Sequence, residues 1–277
     1  MSSETPGLIL TMARDLADLG IEPGDCLMAH SSFKSLGLRH AGPCDVIHTL
    51  LHVLGPGGTL MMPTFTYSYS GIWGVEPFNP ARTPGVGNGI LTEALRNYPG
   101  ALRSAHPTYS VAAIGHHAED ITANRENASA LGIGSSYDTA YHLGAKILLL
   151  GVGNDRNSML HYAEARARLP YNDIPFREFW GRSALVDRDG TPVEVAIKQE
   201  FPACSMNFGV ADSYLGELGL LRRGRVCHAD SMLMSSQCVV DAVAERLRSE
   251  PSWLLCRSFA CEPCTLRRMR LHEKGLL

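Results

Sequence analysis

Short apolar runs that break off into polar or glycine-bearing chain set the strongest constraint on this sequence: Cys26-Leu-Met-Ala-His30, Thr59-Leu-Met-Met62 and Lys146-Ile-Leu-Leu-Leu-Gly-Val152. Runs this short, without polar alternation, suit strands buried on both faces, as in sheets covered by helices on each side. The chain between them has helical spacing. Residues 8–19 carry Leu8, Ile9, Met12, Leu16 and Leu19 before a stop at Gly20. Ala41-Gly-Pro-Cys-Asp45 opens a second helix with Val46, Ile47, Leu50, Leu51 and Leu54, and Gly55-Pro-Gly-Gly58 ends it. A helix near 89–97, a strand near 109–114 and a helix from about 158 to 168 continue the alternation. The expected fold is α/β, with a mainly parallel central sheet flanked by helices. Ligand sites in such sheets lie beyond the carboxyl ends of the strands.

Beyond Pro170 the texture changes. Ser183-Ala-Leu-Val-Asp-Arg-Asp-Gly-Thr-Pro-Val-Glu-Val195 reads as a β-hairpin turning at Asp189-Gly190, and helices are expected at about 207–218 and 237–248. The expectation is one domain over 1–277, with a core of about 8–170 and a C-terminal hairpin and helix excursion over 171–277. No apolar run approaches the roughly 20 residues of a membrane span. The start, Met1-Ser-Ser-Glu-Thr-Pro6, is unlike a signal peptide, so a cytoplasmic protein is expected. A net charge of −3 decides little, but the absence of any basic stripe argues against nucleic acid as a partner, as the short apolar runs do against a membrane. A monomer or homodimer is expected.

Three segments could carry chemistry. His30-Ser31-Ser32-Phe33-Lys34-Ser35-Leu36-Gly37 leaves a buried strand shortly before a helix, and its hydroxyls and backbone N–H groups suit a phosphate. Taken alone, it is better read as a serine-rich turn capping its own helix. Arg103-Ser104-Ala105-His106-Pro107-Thr108-Tyr109-Ser110-Val111 puts a guanidinium, an imidazole and hydroxyls on one loop, either for an anionic group or as a rigid X-Pro loop. In Gly151-Val-Gly-Asn-Asp-Arg-Asn-Ser-Met-Leu-His161-Tyr-Ala-Glu164, a strand ends in a polar loop and a helix starts near Ser158. His161 and Glu164 are three residues apart on one helix face, so the carboxylate can hold the imidazole while the imidazole takes a proton. By spacing alone that pair is more often structural.

Together and in this order, the segments resemble the aminoglycoside 3-N-acetyltransferase family. The likeness runs through His30-Ser-Ser-Phe, Leu54-Gly-Pro-Gly-Gly-Thr-Leu60, Met62-Pro-Thr-Phe65, Arg103-Ser-Ala-His-Pro107, Leu149-Leu-Gly-Val-Gly153 and Leu160-His-Tyr-Ala-Glu164. It looks closest to the apramycin-acetylating branch, through Glu76-Pro-Phe-Asn79, Phe208-Gly-Val-Ala-Asp212 and Cys261-Glu-Pro-Cys264. The resemblance implies transfer of acetyl from acetyl-CoA to the 3-amino group of a deoxystreptamine aminoglycoside, conferring resistance, with His161 as catalytic base beside Glu164. A same-fold acyltransferase of natural-product biosynthesis, acting on another amine, is the alternative. CoA is expected across the first two segments, on Ser31, Ser32, Ser35, Leu36 and Gly37 and on Arg103, Ser104, His106, Ser110 and Val111. The Gly85-Val-Gly-Asn-Gly89 turn is a further candidate contact. A polycationic acceptor needs carboxylates, for which Glu76, Asp212 and Asp155 are the candidates, with Tyr67 to stack on sugar rings.

The tail holds Cys256, Cys261 and Cys264, with Cys204 upstream. A Cys-x-x-Cys knuckle with two further thiolates is a tetrahedral structural zinc pattern, and such a metal would pin the tail. Cys227-His228 is a rival source of the fourth ligand, and unpaired, partly buried cysteines are the plainer alternative.

Overall fold

The computed structural model describes residues 5–123, 126–175, 182–198 and 204–277. Its elements, in chain order, begin with α1 (Thr5–Leu19), β1 (Cys26–Ser31), α2 (Pro43–Leu54), β2 (Thr59–Pro63) and α3 (Ile90–Arg96). Then come β3 (Leu102–Arg103), β4 (Val111–Gly115), α4 (Ala118–Thr122), α5 (Ser136–His142), β5 (Lys146–Leu150) and α6 (Ser158–Ala167). The hairpin β6 (Ser183–Arg188) and β7 (Thr191–Ala196) precedes α7 (Ala211–Glu217), β8 (Arg222–Val226), β9 (Ala229–Ser235), α8 (Ser236–Ser249) and α9 (Glu262–Glu273). Local chemistry starts and stops these elements where the sequence suggests. Pro43 stands at the head of α2, the Asp45 carboxylate accepts from Gly42 N–H at 2.7 Å, and Gly55 ends the helix at φ 64°. No helix among the described residues is long and apolar enough to cross a membrane.

Seven strands form one sheet in the order β3-β4-β2-β1-β5-β9-β8. The expectation of a mainly parallel sheet holds only at its centre, where β1 lies parallel to β2 and β5. The wings are antiparallel: β4 runs against β2, and β9 against β5. On each side a helical crossover lays down an outer strand, and the chain then folds back to insert an antiparallel strand into the gap. β3 and β4 do this on one wing and β8 and β9 on the other. A hairpin can fill such a gap because it needs only a short turn.

Period-two alternation divides the core between the two faces. Cys26, Met28, Ile147 and Leu149 face α4, α5, α6 and α8, whereas Leu27, Ala29, Leu148 and Leu150 face α1, α2 and α3. The β6–β7 hairpin turns at Asp189-Gly190 as expected and packs outside this sandwich, with Ala184 against Tyr69.

One backbone approach fixes where β4 can sit. Gly115 has φ 119°, and a Cβ there would lie 2.1 Å from the Gly58 carbonyl oxygen. Gly115→Ala combines backbone strain with overpacking and is expected to lower unfolding free energy by about 2–3 kcal/mol, measurable by urea denaturation.

Candidate active site

The carboxyl ends of β1, β2 and β5 open into a cleft of about 690 Å³. Ser31, Ser32 and Lys34 line it from the β1 side, Phe65, Thr66, Tyr67 and Tyr69 from the chain after β2, and Asp155 to Ser158 with His161 from the α6 side. The loop entering α6 is held by a chain of amides. Asn157 Oδ1 accepts from Met159 N–H at 3.1 Å, Asn157 Nδ2 donates to Asn154 Oδ1 at 2.8 Å, and Asn154 Nδ2 donates to Asp212 Oδ1 at 2.7 Å. That chain fixes the first turn of α6, from which His161 projects.

His161 Nδ1 lies 2.7 Å from Glu164 Oε2, and the two side chains are 11% and 5% exposed. An ionised carboxylate only accepts, so Nδ1 carries the proton and Nε2 keeps the lone pair. The imidazole also lies on Phe208, with ring centroids 4.6 Å apart. Glu164 Oε1 is buried without a hydrogen-bond partner among the described residues. Burial pushes the Arg267 guanidinium down, and the first charge opposing that push is the Glu164 carboxylate. The histidine is therefore fixed in tautomer and plane.

The first expected ligand loop is divided by the fold. Ser31 and Ser32 line the cleft; Ser35 Oγ lies 2.9 Å from Ser32 Oγ and 3.2 Å from Gly151 O, within hydrogen-bond reach of both. Leu36 is fully buried, and Gly37 abuts His228, so neither lines the cleft. Lys34, not singled out from the sequence, does.

The second loop lies largely behind the cleft wall. Ser104, His106, Ser110 and Val111 are 0% exposed and do not line the cleft. Arg103 Nε donates to Thr64 Oγ1 and Ser110 Oγ, each at 3.1 Å; its Nη2 donates to Thr64 O at 2.8 Å, and Nη1 to Pro80 O and Thr83 O. Burial pulls the Arg103 pKa down to about 10. His106 Nδ1 accepts from the amides of Thr108 and Tyr109, which do line the cleft. An arginine beside serines suggests an anion site in sequence, but here it satisfies carbonyls behind the wall. Backbone recruits it first.

Among the expected acceptor contacts, Tyr67 and Asp155 line the cleft, Asp155 beside Arg156 at 3.2 Å. Glu76 is exposed away from it. Asp212 braces Asn154 and pairs with Arg223 at 3.3 Å, so it supports the loop instead of a ligand. The turn at 85–89 reaches the cleft through Val86 to Gly89, held by Val86 N–H to Phe65 O at 2.7 Å.

Behind the wall, the sulfurs of Cys204, Cys256, Cys261 and Cys264 lie within 4.8 Å of one another. The Cys264 thiol lowers Cys204 to about 5, and the same contact raises Cys264. The rival Cys227 instead sits at the β8–β9 turn with φ 53°, its amide on Asp15 Oδ2 at 2.9 Å.

Among the described residues, no serine or cysteine of the chain is hydrogen-bonded to His161. An imidazole so held at a cleft wall suits the class of proteins that move a proton on a bound ligand. Comparison with known proteins narrows the class. The family model described as aminoglycoside 3-N-acetyltransferase matches residues 28–248, and the chain belongs to that family of acyltransferases. It is 36% identical over 237 residues to aminoglycoside N(3)-acetyltransferase IV of Salmonella sp, covering 85% of each chain. Among solved structures it is similar to the aminoglycoside acetyltransferase AAC(3)-IVa apoenzyme, with TM-score 0.81, 34% identity and coverage of 95% and 96%. It is also similar to AAC-IIIb in a binary complex with CoASH, with TM-score 0.75, 27% identity and coverage of 86% and 95%.

The bonding of Arg103 makes it a brace. Arg103→Met leaves buried carbonyls unpaired and is expected to lower stability by about 2–4 kcal/mol. Thermal unfolding checks this, and an unchanged melting temperature with weakened CoA binding would restore the ligand role.

Proposed function

We propose that this chain transfers the acetyl group of acetyl-CoA directly to the 3-amino group of a deoxystreptamine aminoglycoside, conferring resistance, with His161 as general base. The observation that carries this reading is the 2.7 Å His161–Glu164 contact at the wall of a cleft large enough for two reactants. The acceptor ammonium gives one proton to solvent, and Nε2 of His161 takes a second from the amine as it attacks. The nitrogen lone pair bonds to the thioester carbon, the C–S bond then breaks, and the departing thiolate recovers a proton from the imidazolium. Glu164 stabilises that imidazolium throughout.

At the β1 end, Ser32 offers a hydroxyl held by Ser35, while Lys34 adds a cation. These groups suit the diphosphate of CoA. At the other end, Tyr67 offers a half-exposed ring and Asp155 a carboxylate to a cationic sugar. Asp155 is the only acidic side chain lining the cleft among the described residues. That scarcity favours, as a second reading, an amine acceptor with fewer charges, such as a natural-product precursor. Thiol release against a panel of aminoglycosides and simpler amines separates the two.

Cys204, Cys256, Cys261 and Cys264 hold a structural zinc in this reading. Four thiolates about 2.3 Å from one ion suit sulfurs that already lie within 4.8 Å of one another, and four protein ligands leave no open position for chemistry. The metal would fasten α9 and the chain at Cys204 to each other.

His161→Ala is expected to lower acetyl transfer by about 10²–10⁴-fold while calorimetry finds CoA binding unchanged; near-normal turnover would remove His161 from the base role. Protein purified without added metal is expected to carry about one zinc per chain by elemental analysis, and Cys261→Ser/Cys264→Ser to lose both the metal and several degrees of melting temperature. Metal content near zero discards the zinc.

A further inference from the structure

His30 ends β1 and has no part in the chemistry described so far. Alternation puts it on the face of Cys26 and Met28, which is the face covered by α6, the helix that carries His161. The register sets it beside Leu149 of β5. It is only 5% exposed, yet it lines the same cleft as His161. Its Nε2 is buried without a hydrogen-bond partner among the described residues. A buried polar atom in that state is unfavourable, and the ring that carries it forms part of the cleft wall, within reach of a bound ligand.

The equally buried His106 shares the unpartnered Nε2, but its Nδ1 accepts from two backbone amides and it is not part of the cleft lining, so cleft position is what sets His30 apart. Burial pushes the His30 pKa down to about 4, so the ring is neutral under ordinary conditions. A neutral imidazole has one N–H to donate and holds that proton far more firmly than an imidazolium does. It can stabilise a developing negative charge without becoming a second base.

We propose that His30 is a further catalytic residue, donating a ring N–H to the acetyl carbonyl oxygen of the thioester and holding the oxyanion that forms there. As the amine nitrogen bonds to the carbonyl carbon, the π pair of C=O moves onto oxygen, opposite the His30 donor. The pair returns as the C–S bond breaks and the thiolate leaves. His161 handles the proton in both steps, and His30 keeps its own. Two histidines from adjoining elements thus divide the work, one moving a proton and one holding charge. This rests on the acyl-transfer reading given above.

The test is steady-state kinetics of the full chain with acetyl-CoA and an acceptor amine that the unmutated protein acetylates. His30→Ala is expected to lower kcat by about 10²–10³-fold with KM for acetyl-CoA within about threefold. His30→Asn, which keeps a side-chain N–H, is expected to recover at least about tenfold over His30→Leu, which is of similar size and has none. That pair carries the comparison if the alanine variant unfolds, and thermal melts identify folded protein. A rise in KM with kcat unchanged, equal kcat for the Asn and Leu variants, or a folded variant within about threefold of normal kcat overturns the proposal. If the unmutated chain acetylates no amine, the transferase reading falls and this one with it. An active chain indifferent to His30 sinks this inference alone.

Discussion

The contact between Glu164 and His161 organises much of what surrounds it. A carboxylate only 3% exposed is stable in the interior only where its charge is answered. Here one oxygen is committed to His161 Nδ1, and the neighbouring field comes from Arg267, itself fully buried on α9. Arg267 donates to Ile174 O at 2.6 Å and to Pro263 O at 3.0 Å, so its position depends on chain from both the middle and the tail of the molecule. The tail therefore completes the interior that a charged dyad requires. Cys264, one turn earlier on α9, joins the same helix to Cys204, next to Ser205 of the cleft wall.

The sheet supplies the other half of the arrangement. Three parallel strands bring His30, Pro63 and the chain after Leu150 to one edge, as open α/β sheets do for their ligands. The antiparallel wings contribute differently. The return from β3 to β4 buries Arg103, which bonds Thr64 O just past the end of β2. The β8–β9 wing presents Arg223 to Asp212, whose other oxygen holds Asn154 and thereby the loop into α6. Each wing braces one wall of the cleft.

Much of this was legible because local signals and the fold agree. Asp45 after Gly42-Pro43, the glycines at 55–58 and Asp189-Gly190 are chemical punctuation, and the elements begin and end there. The His161–Glu164 pair was readable because helical geometry puts residues three apart on one face. The wings were not, because hydrophobic period encodes burial and says nothing of strand direction. β8 has no alternation to find, since Arg222, Arg223 and Arg225 occupy an outer strand. The partners of Arg103 and Asp212 were hidden for another reason: a charged side chain serves a ligand or a carbonyl equally well, and only packing decides which it meets. His30 stood in the first ligand motif, yet nothing in its neighbours marks an imidazole nitrogen left unmatched. The cysteines carried a stronger signal, because sulfurs three residues apart on a helix start need little else to converge.

The rims of the sheet have a consequence of their own. An open sheet exposes unpaired amides and carbonyls at its outermost strands, which invite a neighbouring molecule to add on. Here one rim is β3, only two residues long, and the other is β8, with three arginines among its five. The first is too brief to template another strand, and the second would bring cations against cations if two copies met rim to rim. The same chain reversals that brace the cleft thus leave the molecule poorly suited to fibrous stacking, a useful property for a chain with so apolar a central sheet.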